Sequence, residues 1–428
     1  MFAKVRIASI PSLALALAIS QPAVAQQAET RSPEETSIAL YAERYGVSQD
    51  EARARVNMMA DLDTLKTQVL ADLGDNFATG YFVHGAQLSY VARSSAPVRG
   101  QTRKEIRLGG QAGGTIQIEY VSGSPRAANA IRNIIENQTE RLKKKYPDLQ
   151  SLSYDPAKGK IILEIYAADL ATAEAYRSDR KLEKISGFDG EIVPLRRPIS
   201  DSAVRGGAMV RTPTARCTSG FGAKRGTQNG FFGATHCKGL TSYSDPLGST
   251  HTISAQVTDK SRYHEVSFYP TNGTAESRFF WGNNASDYAA VTGYTSRSST
   301  VPDDWFQSGQ WACHYGKTTG YSCGTVQKIN YQPIGSAGYL GCNARFVSAT
   351  QPYDNNATCA ATFIQVNGIR LNIDGGDSGG PVFLSNTAMG IASASSAEWF
   401  GAVDIMIYSS LDYVGSAPIS ASLLIEPR

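Results

Sequence analysis

The chain has 428 residues, of which 42% are hydrophobic, and this is enough apolar material for more than one folded core. We therefore expect two folded units. The 41 basic and 38 acidic residues leave a formal net charge of only +3. This balance excludes the strong global field that would indicate binding to nucleic acid or to an anionic membrane. The partner has to be inferred from a local site.

The N-terminus has the composition of an export signal. Lys4 and Arg6 precede an apolar run over residues 7–19, and Pro22-Ala23-Val24-Ala25 supplies the small residues that suit a signal peptidase. The apolar run is shorter than the ~20 residues that a helix needs to cross a bilayer. We predict a cleaved signal peptide over residues 1–25 and a secreted, soluble protein. A short buried helix or a membrane anchor is the alternative.

Residues 26–203 are predicted to form an α+β pro-region without cysteines. A capping box begins at Ser48, and apolar residues then recur at three- and four-residue intervals until Gly74, which predicts one helix. A second helix is predicted from Pro125 to Leu142, because proline suits the first turn. Apolar and polar residues alternate over 116–120 and 161–165, as in half-buried strands.

Residues 204–428 differ from the preceding part in composition and residue pattern and are predicted to be all-β. Glycine, serine and threonine become frequent, and short β-branched or aromatic runs are separated by turn residues. Pro194, Pro198 and the pair Gly206-Gly207 mark a linker, so the boundary falls between about 195 and 204. Exposed linkers of this kind attract proteolysis, although an uncut hinge is the alternative.

All cysteines lie in the β-rich part, and their number is even. An even number in an exported chain predicts a disulfide framework, whose pairing the sequence alone leaves open. Zinc is disfavoured because there is no Cys-x-x-Cys pair and the histidines lack ligand spacing. The cysteines are Cys217, Cys237, Cys313, Cys323, Cys342 and Cys359.

The most specific string in the sequence is Gly376-Asp377-Ser378-Gly379-Gly380-Pro381-Val382. Glycines on both sides let the serine sit in a tight turn where its hydroxyl is exposed and backbone N–H groups converge. This arrangement suits a nucleophile, whereas a plain glycine-rich turn is the alternative. We predict that Ser378 is a nucleophile and that Asp377 shapes the loop.

A serine nucleophile requires a histidine base. Only five histidines are present, and His236 stands between Thr235 and Cys237. The neighbouring cysteine would anchor the backbone and hold the ring steady. We predict that His236 is the base, with a purely structural histidine as the alternative.

The acid that orients this base should be buried, lie between the histidine and the serine, and begin a strand. Asp287 opens the apolar run Tyr288-Ala289-Ala290-Val291 and meets these conditions. Asp303 and Asp304 are its rivals, but they follow a proline in what resembles an exposed turn. We predict that Asp287 orients His236.

Together these strings resemble the bacterial chymotrypsin-like peptidases of the streptogrisin and α-lytic endopeptidase type. The resemblance is carried by the order His236, Asp287, Ser378, by the serine string and by Cys313–Gly324, which reads Cys-His-Tyr-Gly-Lys-Thr-Thr-Gly-Tyr-Ser-Cys-Gly. Less specifically, the stretch Tyr41–Gly80 resembles the pro-regions of that family.

The resemblance implies two six-stranded β-barrels with the active site in the cleft between them. It also implies a pro-region that assists folding and is then removed. The bridges implied are Cys217–Cys237, Cys313–Cys323 and, with these, Cys342–Cys359. The third bridge departs from the family pattern because no cysteine follows Ser378, which leaves the walls of the specificity pocket open.

In the mechanism implied, Ser378 attacks a peptide carbonyl while His236 takes its proton. The N–H groups of Gly376 and Ser378 are expected to form the oxyanion hole. Substrate is expected to pair as an added strand along Ser393, Ala394 and Ser395, unless this is an ordinary barrel strand. Three residues are open candidates for the specificity pocket: Asn372, Ile373 and Asp374.

We therefore predict a secreted serine endopeptidase, made as a zymogen, that hydrolyses peptide bonds through an acyl-enzyme. Its partners would be protein or peptide substrates and its own pro-region, and we expect a monomer. No metal, organic cofactor, nucleic acid or membrane is expected. The alternatives are a serine esterase and a binding protein that kept a peptidase fold without catalysis.

Overall fold

The computed structural model describes thirteen segments of the chain, which are 32–124, 128–178, 184–196, 200–201, 207–212, 216–258, 264–282, 284, 287–294, 306–333, 359–397, 404–414 and 419–426. The predicted signal peptide lies outside these residues, as do Cys342, Asp303 and Asp304. Among the described residues, no helix is both long and apolar enough to span a membrane.

Three helices open the described chain: α1 (Pro33–Tyr45), α2 (Gln49–Ala60) and α3 (Leu62–Leu73). The hydroxyl of Ser48 accepts the Glu51 N–H at 3.2 Å, which confirms the predicted helix start. The prediction of one helix to Gly74 was wrong, because Asp61 leaves the helical conformation (φ −90°, ψ 58°). Its carboxylate then caps α3 by accepting the Thr64 N–H at 3.4 Å.

The rest of the predicted pro-region is built from two sheets and two helices. Strands β1 to β4 pair in the order β1-β2-β4-β3, and β5-β6-β7 form a second sheet. The elements are β1 (Phe77–His84), β2 (Leu88–Ser94), β3 (Arg103–Leu108), β4 (Gly114–Ser122), α4 (Ala128–Lys145), β5 (Leu149–Asp155), β6 (Lys160–Tyr166), α5 (Leu170–Arg177) and β7 (Gly190–Leu195).

After β7 the described elements are strands, as predicted, apart from two short 3₁₀ turns. They are β8 (Ser200–Asp201), β9 (Met209–Arg211), β10 (Arg216–Thr218), β11 (Gly222–Arg225), β12 (Gln228–Ala234), β13 (Ser242–Ser244), β14 (Thr250–Thr252), β15 (Val257–Thr258), β16 (Val266–Pro270), β17 (Arg278–Phe280), β18 (Tyr288–Ala290), β19 (Gly293–Tyr294), β20 (Trp311–Gly316), β21 (Gly320–Pro333), β22 (Phe363–Gly368), β23 (Pro381–Leu384), β24 (Thr387–Ala397), β25 (Asp404–Ser410) and β26 (Ser422–Leu423).

The second half of the β-rich part is a closed six-stranded barrel. Its strands pair in the order β20-β23-β24-β25-β22-β21, and β21 pairs back with β20. Val326, Val382 and Ile391 are almost or fully buried in its core. In the first half, the described strands form the sheets β15-β16-β12-β11-β26 and β10-β9-β13-β14. The chymotrypsin-like fold class is therefore confirmed, and a closed barrel is seen in the second half of the β-rich part.

The implied bridges Cys217–Cys237 and Cys313–Cys323 are both present. Cys359 is also disulfide-bonded. Each of the first two bridges closes a short loop beside a motif that the sequence singled out. They therefore fix the backbone next to His236 and across the β20–β21 hairpin.

Residues 31–428 form one compact unit, in which the predicted pro-region packs directly on the barrel. The long strand β21 runs past the barrel edge and pairs antiparallel with β5, with Ile329 opposite Tyr154 and Gln332 opposite Leu152. Strands β5, β6 and β7 thereby extend the barrel sheet.

Candidate active site

The loop that carries Ser378 is held rigid by the buried carboxylate of Asp377. Its Oδ1 accepts the N–H of Thr318 at 3.0 Å and of Thr319 at 3.3 Å. Its Oδ2 accepts the Thr319 hydroxyl at 2.6 Å and the Asp374 N–H at 3.0 Å. These bonds tie the loop to the β20–β21 hairpin, which is the loop-shaping role predicted for Asp377.

Glycine is required at position 379 for two independent reasons. Its φ is +86°, and a Cβ there would lie 2.2 Å from the Thr218 carbonyl oxygen and 3.2 Å from the Ala234 nitrogen. The glycine therefore lets the serine loop pack directly against β10 and the end of β12. This close approach brings the loop to the segment that carries His236.

Further contacts join Ser378 to the neighbours of His236. The Ser378 carbonyl accepts the Thr218 N–H at 3.0 Å and lies 4.0 Å from Cys237 Sγ. Cys237 follows His236 directly and is bridged to β10 through Cys217. The backbone of Ser378 therefore lies beside the residue that follows His236.

The carboxylate that contacts His236 belongs to Glu265. Glu265 Oε1 lies 2.9 Å from Nδ1 of the ring and accepts the backbone N–H of the same residue at 2.6 Å. The Glu265 side chain is 0% exposed and that of His236 is 12% exposed. Because a carboxylate only accepts, the neutral imidazole carries its proton on Nδ1, which leaves Nε2 as the basic nitrogen.

The structure gives Asp287, the acid expected from the sequence, partners other than His236. Asp287 Oδ2 accepts the Asn284 N–H at 2.8 Å, and its backbone carbonyl accepts the Trp281 N–H at 2.9 Å. The residue therefore closes the β17–β18 turn. It begins an apolar strand, as predicted, but that strand does not pair with the strand beside His236.

Strand register explains why Glu265 reaches the histidine. Strand β12 pairs antiparallel with β16, and Ala234 is opposite Val266. The residues just beyond this pair are Thr235 and Glu265, and the Thr235 N–H donates to the Glu265 carbonyl at 3.2 Å. Glu265 opens an apolar strand just as Asp287 does, so the same local signal could have identified it.

Strand β24 runs beside the serine loop, where substrate pairing was predicted. The Gly379 N–H donates to the Ala392 carbonyl at 2.7 Å, and the Ala392 N–H donates to the Gly380 carbonyl at 2.9 Å. The predicted substrate strand follows at Ser393, Ala394 and Ser395. Strand β8 of the linker already pairs with it antiparallel, with Asp201 opposite Ala394 and Ser200 opposite Ser395.

The three pocket candidates lie in different surroundings. Ile373 is only 2% exposed and belongs to the barrel core. Asn372 is exposed, and its carbonyl accepts the Thr319 hydroxyl at 2.8 Å. Asp374 is exposed and caps its own turn by accepting the Gly375 N–H at 2.7 Å.

The oxyanion-hole candidate Gly376 is buried and adopts a φ of +138°. Its carbonyl accepts the Thr218 hydroxyl at 3.2 Å, which turns the peptide toward β10. Within the part of the chain that the structure describes, no group of three or more His, Cys, Asp or Glu residues could hold a metal ion.

No family model matches the chain. Over 250 residues it is 26% identical to Streptogrisin-C of Streptomyces griseus, and this alignment covers 56% of the chain and 45% of that protein. The chain therefore spans less than half the length of this relative. The similarity agrees with the expected relationship to bacterial chymotrypsin-like serine peptidases.

Two solved structures are also similar to the chain. Thermobifida fusca Protease A is 20% identical with a TM-score of 0.35, over 52% of this chain and 99% of that one. The Nocardiopsis protease is 24% identical with a TM-score of 0.34, over 51% of this chain and 97% of that one.

Proposed function

We propose that this protein is a serine endopeptidase in which Ser378 is the nucleophile, His236 the general base and Glu265 the acid that orients the base. The observation that carries the proposal is the buried Glu265 carboxylate on His236 Nδ1, beside the Ser378 loop. Such a pair holds the imidazole in the tautomer that can take the serine proton. It also stabilises the imidazolium that forms.

The remaining parts of an acyl-transfer site are supplied by the same loop. Backbone N–H groups of Gly376 and Ser378 would stabilise the oxyanion of the tetrahedral intermediate. The Asp377 hydrogen bonds hold this backbone in place before substrate arrives, so no reorganisation is needed during the reaction. His236 would then return the proton to the leaving amine, and water would hydrolyse the acyl-enzyme.

The chain with its linker intact is proposed to be a zymogen. Ser200 and Asp201 occupy the strand position that substrate would take along Ala394 and Ser395. Ser378 is 0% exposed in this form. An intact linker on the substrate strand would block other peptides by occupying their backbone hydrogen-bonding partners.

The register of this pairing also suggests where the linker is cut. Ser200 lies opposite Ser395 and Asp201 lies opposite Ala394. A partner strand that keeps this antiparallel register would next pair toward Ala392. Ala392 is hydrogen-bonded to Gly379, the residue after the nucleophile. We therefore place the scissile bond a few residues after Ser200, within the linker that follows Asp201 and at the boundary predicted near residue 203.

The pro-region is proposed to assist folding and the mature enzyme to act outside the cell. All-β topologies with long-range pairings fold slowly, and β5 offers β21 a preformed partner strand. The predicted N-terminal export signal and the disulfides suit an oxidising compartment. Protein or peptide substrates follow from strand pairing along β24.

Replacing Ser378 with Ala tests the proposal directly. We expect peptidase activity to fall by on the order of 10⁴-fold or more, because oxyanion stabilisation and binding alone leave little rate acceleration. If the enzyme cuts its own linker, the variant accumulates as a precursor that lacks only its signal. Thr319→Ala is the comparison variant, because it weakens the support of the loop at Asp377 but keeps the reacting groups, so it should lower activity far less than Ser378→Ala.

The measurements are turnover of a denatured protein mixture and N-terminal sequencing of the exported protein. Ser378→Ala protein with activity within a few-fold of wild type would refute the nucleophile assignment. Ester cleavage without amide cleavage by the wild type would instead favour an esterase.

A further inference from the structure

The N-terminal part of the predicted pro-region meets the barrel at a second contact, separate from the β5–β21 pairing. We call it the aromatic seam, formed by Tyr41, Tyr45 and His84 on one side and by Gly309, Trp311 and Thr325 on the other. The Tyr45 ring stacks on His84 with centroids 4.3 Å apart and planes inclined by 13°. Tyr41 packs edge-on against Trp311 at 5.6 Å, and the Tyr45 hydroxyl lies 2.6 Å from Thr325 Oγ1.

His84 bridges the two sides of the seam through both ring nitrogens. Nε2 lies within hydrogen-bond distance of the Gly309 carbonyl, and Nδ1 lies 2.7 Å from the Tyr41 hydroxyl. A carbonyl only accepts, so Nε2 carries the proton and Nδ1 accepts from Tyr41 in the neutral ring. A second proton would place an N–H on Nδ1, and the Tyr41 hydroxyl could then no longer donate to this nitrogen.

The buried charge of Arg55 opposes a positive charge on His84. The Arg55 side chain is 1% exposed, and its guanidinium donates to the carbonyls of Gly85 at 3.1 Å and Ala86 at 2.8 Å. Its partner Glu51 accepts from Nε at 2.6 Å. Burial of the ring, with a smaller contribution from Arg55, lowers the pKa of His84 to about 4, although the Gly309 carbonyl opposes this shift.

The groups that face His84 are therefore Tyr41 and Tyr45 from α1 and Arg55 with Glu51 from α2. From the barrel the Gly309 carbonyl faces the ring, while Trp311 and Thr325 contact the two tyrosines, and none of these three groups titrates. The backbone crosses the seam as well, because the Phe82 N–H donates to the Ser308 carbonyl at 2.8 Å. Phe77 and Phe306 stack across the same boundary at 4.7 Å.

We propose that the aromatic seam is a proton-sensitive docking surface, which holds the N-terminal part of the pro-region on the barrel at neutral pH and releases it in acid. Its partner is the segment from α1 to β2 of this same chain. The inference rests on the proposed role of residues 26–203 as a pro-region. It does not depend on the catalytic assignments.

The direction and size of the pH effect on docking follow from proton linkage. The docked state binds fewer protons than the released state, so docking is strongest above the ordinary histidine pKa and weakens as the pH falls toward the docked value. With a pKa of about 6.5 when released and about 4 when docked, opening becomes favoured on the order of 25-fold between pH 7.5 and pH 5.0.

Hydrogen–deuterium exchange of the full-length Ser378→Ala precursor tests this inference. Exchange is measured at pH 7.5 and 5.0 and corrected for intrinsic rates, and the Phe82 amide reports opening of the seam. We expect its protection to fall on the order of 25-fold in acid. The Gly379 amide, which donates to Ala392 within the barrel, reports whether the rest of the protein stays folded.

His84→Gln is the decisive variant, because glutamine retains a donor for Gly309 and an acceptor for Tyr41 but does not titrate. In this variant the protection of the Phe82 amide should change less than about threefold between the two pH values. The scatter among the other seam amides is allowed for in this comparison. Glu43→Gln is the matched control, since it removes the exposed ion pair with Arg370 across the same boundary and should keep the wild-type pH dependence.

An equal acid response in His84→Gln, or none in the parent protein, would overturn the inference. The exchange experiment needs no activity, so a chain without peptidase activity would refute the proposed function and leave the seam result standing. Conversely, an active peptidase with pH-independent seam protection would refute only the seam.

Discussion

Glu265→Gln distinguishes the acid seen in the structure from the one expected from sequence. One oxygen of Glu265 accepts both the ring Nδ1–H and the backbone N–H of His236, at 2.9 and 2.6 Å. Glutamine has nearly the same shape, but it carries no charge and can present an amide donor to Nδ1. The ring would then favour the tautomer with its proton on Nε2, which cannot accept the proton of Ser378.

The expected loss of kcat follows from the missing charge and from the changed tautomer. Removing the charge of the orienting carboxylate in a serine triad typically lowers kcat about 10⁴-fold, which corresponds to about 5 kcal/mol of transition-state stabilisation. KM should change little, because β24 and not Glu265 is the proposed partner of the substrate backbone. Glu265→Asp should retain more activity, since the carboxylate remains but its reach is one methylene shorter.

The assay is steady-state kinetics on a peptide substrate, with each variant produced as separate pro-region and peptidase chains to avoid dependence on self-processing. Asp287→Asn is the matched control, and we expect its kcat to stay within about fivefold of wild type because it only loses charge at the β17–β18 turn. The reasoning is refuted if Asp287→Asn abolishes turnover while Glu265→Gln keeps it.

Two further predictions concern buried carboxylates. Glu164 is fully buried and accepts hydrogen bonds from Lys328, from the Tyr331 hydroxyl at 2.7 Å and from the Ser151 hydroxyl at 2.7 Å. Glu164→Gln should therefore weaken pro-region binding by about 3 kcal/mol, as measured by calorimetry. Burial alone would raise the pKa of Glu164, but Lys328 together with the Ser151 and Tyr331 hydroxyls outweighs burial and lowers the pKa. The contribution of ionised Glu164 to pro-region binding is therefore complete above about pH 4.5 and is lost as the pH falls through the lowered pKa of Glu164. Equal pro-region binding at pH 3.5 and pH 7 would contradict this prediction. Asp377→Ala leaves the N–H groups of Thr318, Thr319 and Asp374 without their acceptor, and should lower the free energy of unfolding by about 2–4 kcal/mol in denaturant titrations, whereas Asp374→Ala should change it by less than about 1 kcal/mol.

Local sequence was a good guide wherever a feature depends on neighbouring residues. The serine string requires a glycine at 379 because of its positive φ and the close approach of β10. The Ser48 cap begins α2 through a bond to the N–H three residues later. The implied bridges Cys217–Cys237 and Cys313–Cys323 join cysteines 20 and 10 residues apart.

Features that depend on distant pairings could not be predicted in the same way. Both Glu265 and Asp287 are carboxylates at the start of an apolar strand, so they give the same local signal. Only the pairing of Ala234 with Val266 decides which of them reaches His236. Asp61 likewise broke a helix that periodicity predicted as continuous, because its carboxylate caps the next helix in place of continuing the first.

The sequence by itself indicated the serine loop, its candidate base and the β-rich character of the second part, because each is encoded within a short stretch of chain. The two short-range bridges followed from the family resemblance. The tertiary structure alone decided that Glu265 contacts His236, that Ser200 and Asp201 pair with β24 and that His84 bridges to Gly309. Each of these contacts joins segments whose approach depends on strand register, and register is set by packing over the whole fold.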